Sequence, residues 1–266
     1  MKGGVAANTG HISTHEAGAI ECGGHKVLEL PGKEGKLQLA ELRNYLQQFY
    51  ADPLHEHMVF PGMVFISYPT EYGTLYSKKE LEEIYALCKQ YNILLYIDGA
   101  RLGYGLASKE SDLTLAELAR LCDVFYIGGT KQGALFGEAV VFCGCRAPAH
   151  FNTFVKQRGG LLAKGWLLGL QFDVLFEDDL YFKISNHANL MAEKVKDIFL
   201  SKGYSAFVDA STNQQFMIVN NEKLKQLEKE VKFSYWQSLD ENSSVIRLVT
   251  SWATKEADVE KLQALL

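Results

Sequence analysis

A chain of 266 residues can bury a sizeable core, as one large domain or as one plus a smaller one. Its charged fraction of 22% and hydrophobic fraction of 47% are those of an ordinary globular protein, and a net charge of −5 leaves no basic footprint for nucleic acid. No apolar stretch is long enough to span a bilayer, the N-terminus lacks the apolar core of a secretory signal, and five scattered cysteines argue against a disulfide framework and for a reducing compartment, most simply the cytoplasm.

In chain order the patterns alternate between strand and helix. The opening Met1-Lys2-Gly3-Gly4 leads almost at once into a Gly/His/Glu-rich stretch, where a complete doubly wound domain builds an edge first. Residues 25–30 read as a strand, 38–50 as a helix and 63–67 as a strand. His55-Glu56-His57, between Pro53 and Pro61, reads as a loop without chemistry. A helix over 78–90 follows, with Ser77 as N-cap and Glu80 at N3 forming a capping box. Strand 93–97, short helix 102–107, helix 115–121, strand 123–127 and strand 139–143 come next. Cys143 and Cys145 beside that last strand read as ordinary thiols rather than metal ligands.

Residues 161–200 are helical in pattern, with a long run over 179–200 suited to linking two domains. Beyond it, strands 206–208, 215–219, 231–236 and 245–249 alternate with helices 222–230 and 255–265. The whole reads as an α/β protein with a mostly parallel sheet and flanking helices over 1–178 and a small α/β domain over 179–266.

Two short segments carry the chemistry. Asp98-Gly99-Ala100-Arg101 closes the apolar run 93–97, and Gly128-Gly129-Thr130-Lys131 closes 123–127. Runs this short, apolar and bounded by glycine read as buried parallel strands, and ligands of open α/β sheets bind outside the carboxyl ends of such strands. An acid, an arginine and a lysine therefore arrive at one sheet edge. Pyridoxal phosphate (PLP) asks for a lysine to form a Schiff base and a carboxylate for its pyridinium nitrogen. The alternatives are a surface lysine in a loop, an Asp98 that merely caps the next helix, and a phosphate loop; Gly-Gly-Thr-Lys-Gln lacks the G-x-x-x-x-G-K-[ST] pattern of the last.

Arg101 has the planar fork to hold a carboxylate, of a substrate or of Asp98 itself. Arg247, between apolar neighbours on strand 245–249, needs an anionic partner or an escape to solvent; a substrate carboxylate and a structural ion pair both answer that need. His11, His15 and Glu16 cluster near the start without the H-E-x-x-H arrangement, so a flat imidazole over a flat ring is a better use of one of them than a metal. Glu71, in Pro69-Thr70-Glu71-Tyr72-Gly73-Thr74, follows strand 63–67 and can reach the same crevice.

Four segments together resemble the low-specificity L-threonine aldolases of the β-eliminating lyase group: residues 10–19, Asp98-Gly99-Ala100-Arg101, Gly129-Thr130-Lys131 and residues 246–252, in the family's order across nearly the whole chain. The resemblance implies an aspartate aminotransferase-like PLP fold and cleavage of L-threonine or L-allo-threonine to glycine and an aldehyde. By it, Lys131 would form the Schiff base with Thr130 beside it, Asp98 would meet the pyridine nitrogen and His11 would stack on the ring. Arg101 and Arg247 would hold the substrate carboxylate. Where many members place a histidine near the substrate hydroxyl this chain has Glu71, which leaves His11 and Glu71 as candidates for the base. The resemblance also implies a homodimer or homotetramer whose sites are completed by a neighbouring subunit. The family's Ser/Thr-Gly-Thr-x-Ala-Asn-type phosphate loop is absent upstream of His11, so the expectation is a chain lacking the N-terminal section. Another PLP lyase or aminotransferase of the same fold, or an inactive fragment of such an enzyme, are the alternatives.

Overall fold

A computed structural model describes residues 2–143 and 147–266; Cys145 lies outside the described residues. The larger sheet is built from β1 (Lys2–Ala7), β2 (Val27–Leu30), β5 (Phe60–Ser67), β6 (Leu94–Asp98), β7 (Val124–Ile127) and β8 (Ala139–Phe142), in the order β2-β1-β5-β6-β7-β8. All neighbours are parallel except β7 and β8. A two-stranded hairpin, β3 (Gly32–Lys33) and β4 (Lys36–Leu37), lies between β2 and the helix that follows.

Strand β1 is the element the sequence conceals. Lys-Gly-Gly-Val-Ala-Ala carries one β-branched residue, yet it lies inside the sheet with five of its six residues buried. Glycine and alanine weaken the strand signal but permit the close approach: a Cβ on Gly3 would lie 2.7 Å from Lys26 O. Pro61, which has no amide hydrogen to donate, sits opposite Gly3, and the register of β1 on β5 shifts just beyond it.

One face of this sheet is covered by helices. Leu42, Leu46 and Phe49 of α1 (Leu39–Ala51), and Leu81, Ile84 and Leu87 of α2 (Lys78–Gln90), recur at helical spacing and are buried. Each such side chain contributes about 1.5–3 kcal/mol on burial. Helix α2 begins where the capping box places it: Ser77 Oγ accepts from Glu80 N at 3.2 Å, and Glu80 Oε2 accepts from Ser77 N at 2.7 Å. The other face is thinner, with Ala6, Ile12 and Phe65 at its centre and Phe65 stacked on Tyr96 at 5.3 Å.

The second sheet is antiparallel, in the order β11 (Ser234–Ser238), β12 (Ser243–Val249), β10 (Gln214–Asn220), β9 (Ser205–Ala206). The 22-residue helix Leu180–Ser201 runs from the first unit to the second, burying Tyr181 and Ser185 against the former and Met191, Val195 and Phe199 against the latter. The helical stretch expected over 161–200 is broken. Trp166–Phe176 and Leu180–Ser201 meet at Asp178 and Asp179, both with φ in the left-handed region (48° and 58°). Tyr72, on the loop after β5, inserts between Phe216 and Trp236 of the small sheet at 5.6 and 5.5 Å. The loop that carries Glu71 is therefore gripped by both units.

Candidate active site

The carboxyl ends of β1, β5, β6 and β7 open on one crevice. His11, Glu16, Ser67, Glu71, Asp98, Ala100, Arg101, Tyr126 and Lys131 line it, with Pro69 and Thr70. Five of the residues singled out from sequence thus converge from four loops. A pair of glycines permits this. A Cβ on Gly99 would collide with the Tyr126 carbonyl oxygen, and one on Gly128 would lie 2.6 Å from Gly99 O. Only with hydrogen at both positions can Gly128 N donate to Gly99 O at 2.9 Å, which draws the Asp98 and Lys131 loops together.

Asp98 is 9% exposed. Its Oδ1 accepts from Ala100 N at 2.9 Å and from the Tyr126 hydroxyl. Lys131 hangs on a loop braced from behind: Tyr104 OH donates to its carbonyl, and the Glu138 carboxylate accepts from Gly129 N and, at 2.8 Å, from Thr130 Oγ1. Thr130 is exposed, with its hydroxyl committed to Glu138 rather than turned to the crevice. Tyr181 OH donates to Gly128 O at 2.9 Å and accepts from Gly103 N at 3.1 Å, bridging the two loops underneath.

His11 opens a four-residue helix directly after β1. Its amide donates to Glu71 Oε1 at 2.8 Å and its Nδ1 lies 2.5 Å from Glu16 Oε1. Ser67 Oγ donates to the same Glu71 oxygen at 2.6 Å. Burial raises the Glu71 pKa against these hydrogen bonds, with the nearby Asp98 charge adding to the rise. Arg247, on β12, donates to Gln214 Oε1 and Ser234 Oγ at 3.3 Å each, lies over the Trp236 ring, and keeps its Nε buried without a partner.

Lys131, Arg101 and Arg247 form no ion pair among the described residues. Burial lowers the pKa of all three, and their mutual repulsion adds to it: Arg247 acts on Arg101, and both act on Lys131. Asp98 and Glu138 near Lys131, and Asp98 and Glu71 near Arg101, offset this without closing an ion pair, which leaves room for an added anion. A carboxylate, a lysine disposed to lose its proton, and an anion-binding pair at one edge fit a flat, anionic nitrogen heterocycle carrying an aldehyde, together with a carboxylate-bearing substrate.

Sequence reasoning missed Ser67, Tyr126, Glu138 and Gln214, and read Glu16 only as part of a histidine cluster. Ser67 left a signal, since it pairs in register with Asp98 as a polar residue ending an apolar strand. Tyr126 left none, because an aromatic residue inside a strand reads as core.

Fold and crevice together define an α/β protein with a lysine–aspartate–arginine site at the carboxyl edge of a mostly parallel sheet. Residues 2–222 match the β-eliminating lyase family, and the chain belongs to that family. It is 31% identical over 268 residues to a low specificity L-threonine aldolase of a Pseudomonas species, covering 98% of this chain and 74% of that protein. The corresponding protein of Pseudomonas aeruginosa is 28% identical over 98% of this chain and 73% of its own length. The solved structure of a Leishmania major threonine aldolase superposes with a TM-score of 0.94 at 42% identity, over 99% of this chain and 76% of that one. The chain thus spans about three quarters of the length of these relatives.

Proposed function

We propose that this chain is a PLP-dependent carbon–carbon lyase that cleaves L-threonine or L-allo-threonine to glycine and acetaldehyde. The observation that carries the reading is the crevice itself, which Lys131, Arg101 and Asp98 line together, neither cation being held in an ion pair among the described residues. The likeness to threonine aldolases at 31% and 42% identity supports the substrate class. PLP, when bound, supplies an electron sink for the pair released from the broken bond.

The residues divide the remaining work. Asp98 would hold the ring nitrogen, Lys131 would bond the aldehyde carbon and the His11 ring would lie against the heterocycle. Thr130 completes the cofactor loop, held by Glu138. Arg101 and Arg247 would clamp the substrate carboxylate, and that orientation would select which bond at the α-carbon breaks. Glu71, with its raised pKa, is suited to hold and return a proton at the β-hydroxyl, and His11 is the second candidate for that task.

The reading extends to assembly and place. Trp166, Leu170 and Val174 of the helix Trp166–Phe176 are exposed, as is Leu135 on the Lys131 loop (87%). An apolar surface of this kind beside the site suits burial against a second copy in a homodimer or homotetramer. Among the described residues no helix is long and apolar enough to cross a membrane, which accords with a cytoplasmic enzyme. The proposed division into 1–178 and 179–266 is supported by the kink before Leu180.

The test is incubation with PLP and each threonine diastereomer. Equimolar glycine and acetaldehyde are expected. 2-Oxobutyrate with ammonia, or the 2-oxo-3-hydroxy acid of transamination, instead would assign another PLP reaction, and no turnover with full PLP binding would favour an inactive relative.

A further inference from the structure

Asp98 is engaged on one side only. Its Oδ1 takes two donors, Ala100 N at 2.9 Å and the Tyr126 hydroxyl, while Oδ2 has no hydrogen-bond partner among the described residues. Tyr126 comes from the next strand, β7, lines the crevice and is half-buried beside Tyr96, their ring centroids 6.4 Å apart. Backbone alone would hold Asp98 by a single bond from its own turn. The tyrosine adds a tie from the strand that leads into the Lys131 loop.

We propose that Tyr126 is a positioning residue that fixes the plane of the Asp98 carboxylate, turns Oδ2 to the crevice and withdraws negative charge from it, so setting how firmly Asp98 holds a proton on a bound nitrogen heterocycle. This rests on the PLP reading of the site. A phenol donating to a carboxylate shares its charge, so the open oxygen is a weaker acceptor than that of a carboxylate bonded only by backbone. The other charged or titratable groups around Asp98 are His11 and Glu16 after β1, Glu71 after β5, Tyr96 on β6, Arg101 at the head of the following helix and Lys131. None of these bonds its oxygens among the described residues, which leaves Tyr126 as the side chain acting on it directly.

The experiment is Tyr126→Phe, which keeps the ring and its packing, with Tyr96→Phe as the control that removes a neighbouring phenol unbonded to Asp98. Each protein is loaded with PLP, and the Lys131-dependent visible absorbance is followed against pH. Without the phenol's withdrawal, Asp98 neutralises the ring's positive charge more fully, and the Lys131 linkage keeps its proton to higher pH. The midpoint in Tyr126→Phe is expected to move upward by about one pH unit, as a hydrogen bond to a charged group warrants, with Tyr96→Phe unmoved. An unchanged or lowered midpoint in Tyr126→Phe, or an equal shift in both variants, overturns the assignment. If wild type itself gives no band that depends on Lys131, the PLP reading has failed rather than this one.

Discussion

The glycine pair that draws the Asp98 and Lys131 loops together is the feature on which the site's geometry most depends, and Gly99→Ala tests it. A methyl group there would collide with the Tyr126 carbonyl oxygen and lie 3.0 Å from its carbon and 3.2 Å from Leu102 Cβ. The nearest obstacle is backbone of the neighbouring strand, so no rotamer change relieves it. Overpacking costs about 1–3 kcal/mol where side chains can yield. With backbone as the wall, the upper end is expected, about 3 kcal/mol. At about 2–4 °C per kcal/mol for a domain of 150–250 residues, the melting temperature should fall by about 6–12 °C. The strands must also part at the point where Tyr126 reaches Asp98, so PLP affinity should fall with it. Gly169→Ala is the matched control: nothing lies within 4 Å of its added methyl and it is inside a helix. That change should be neutral or stabilise by about 0.5–1 kcal/mol. Scanning calorimetry of the three proteins decides the matter. A Gly99→Ala melt within 2 °C or so of wild type, with PLP affinity intact, would show that the two loops do not depend on this close approach.

Glu71→Gln keeps an acceptor for His11 N and Ser67 Oγ but removes the buried charge. Because burial raises the Glu71 pKa, wild type loses stability as pH climbs from the ordinary carboxyl range through that raised value. The variant should gain stability relative to wild type over that interval, and parallel melting-temperature curves from pH 4 to 8 or thereabouts would count against the assignment. Tyr76→Phe strips the buried Leu37 amide of its 2.6 Å acceptor and should cost about 1–3 kcal/mol in urea titrations. Arg247→Lys loses the fork and the contact with Trp236 while keeping the charge. It should raise KM for the amino acid about tenfold or more with a smaller change in kcat, and an unchanged KM would remove Arg247 from the substrate clamp.

Much of this arrangement is legible in the sequence because its signals are local. The capping box at Ser77 and Glu80 places a helix start to the residue. The apolar runs before Asp98 and Lys131 place both at strand ends, and once a sheet is assumed the crevice follows. Strand β1 escapes because Gly3, Gly4, Ala6 and Ala7 are chosen for close approach rather than for strand propensity. The kink at Asp178 and Asp179 escapes because aspartate in the left-handed region carries no composition signal. The contacts of Tyr126 with Asp98 and of Tyr72 with the small sheet join residues far apart in the chain, and pattern alone does not reach that far.

The central claim is that Lys131 is the residue that bonds the cofactor. The most direct measurement is to add PLP to the purified protein, reduce with borohydride, digest, and locate the added mass by peptide mapping. Modification is expected on Lys131, with its loss in Lys131→Ala and a much weaker yield in Asp98→Ala. Modification spread over surface lysines, or an undiminished yield in Lys131→Ala, would contradict it.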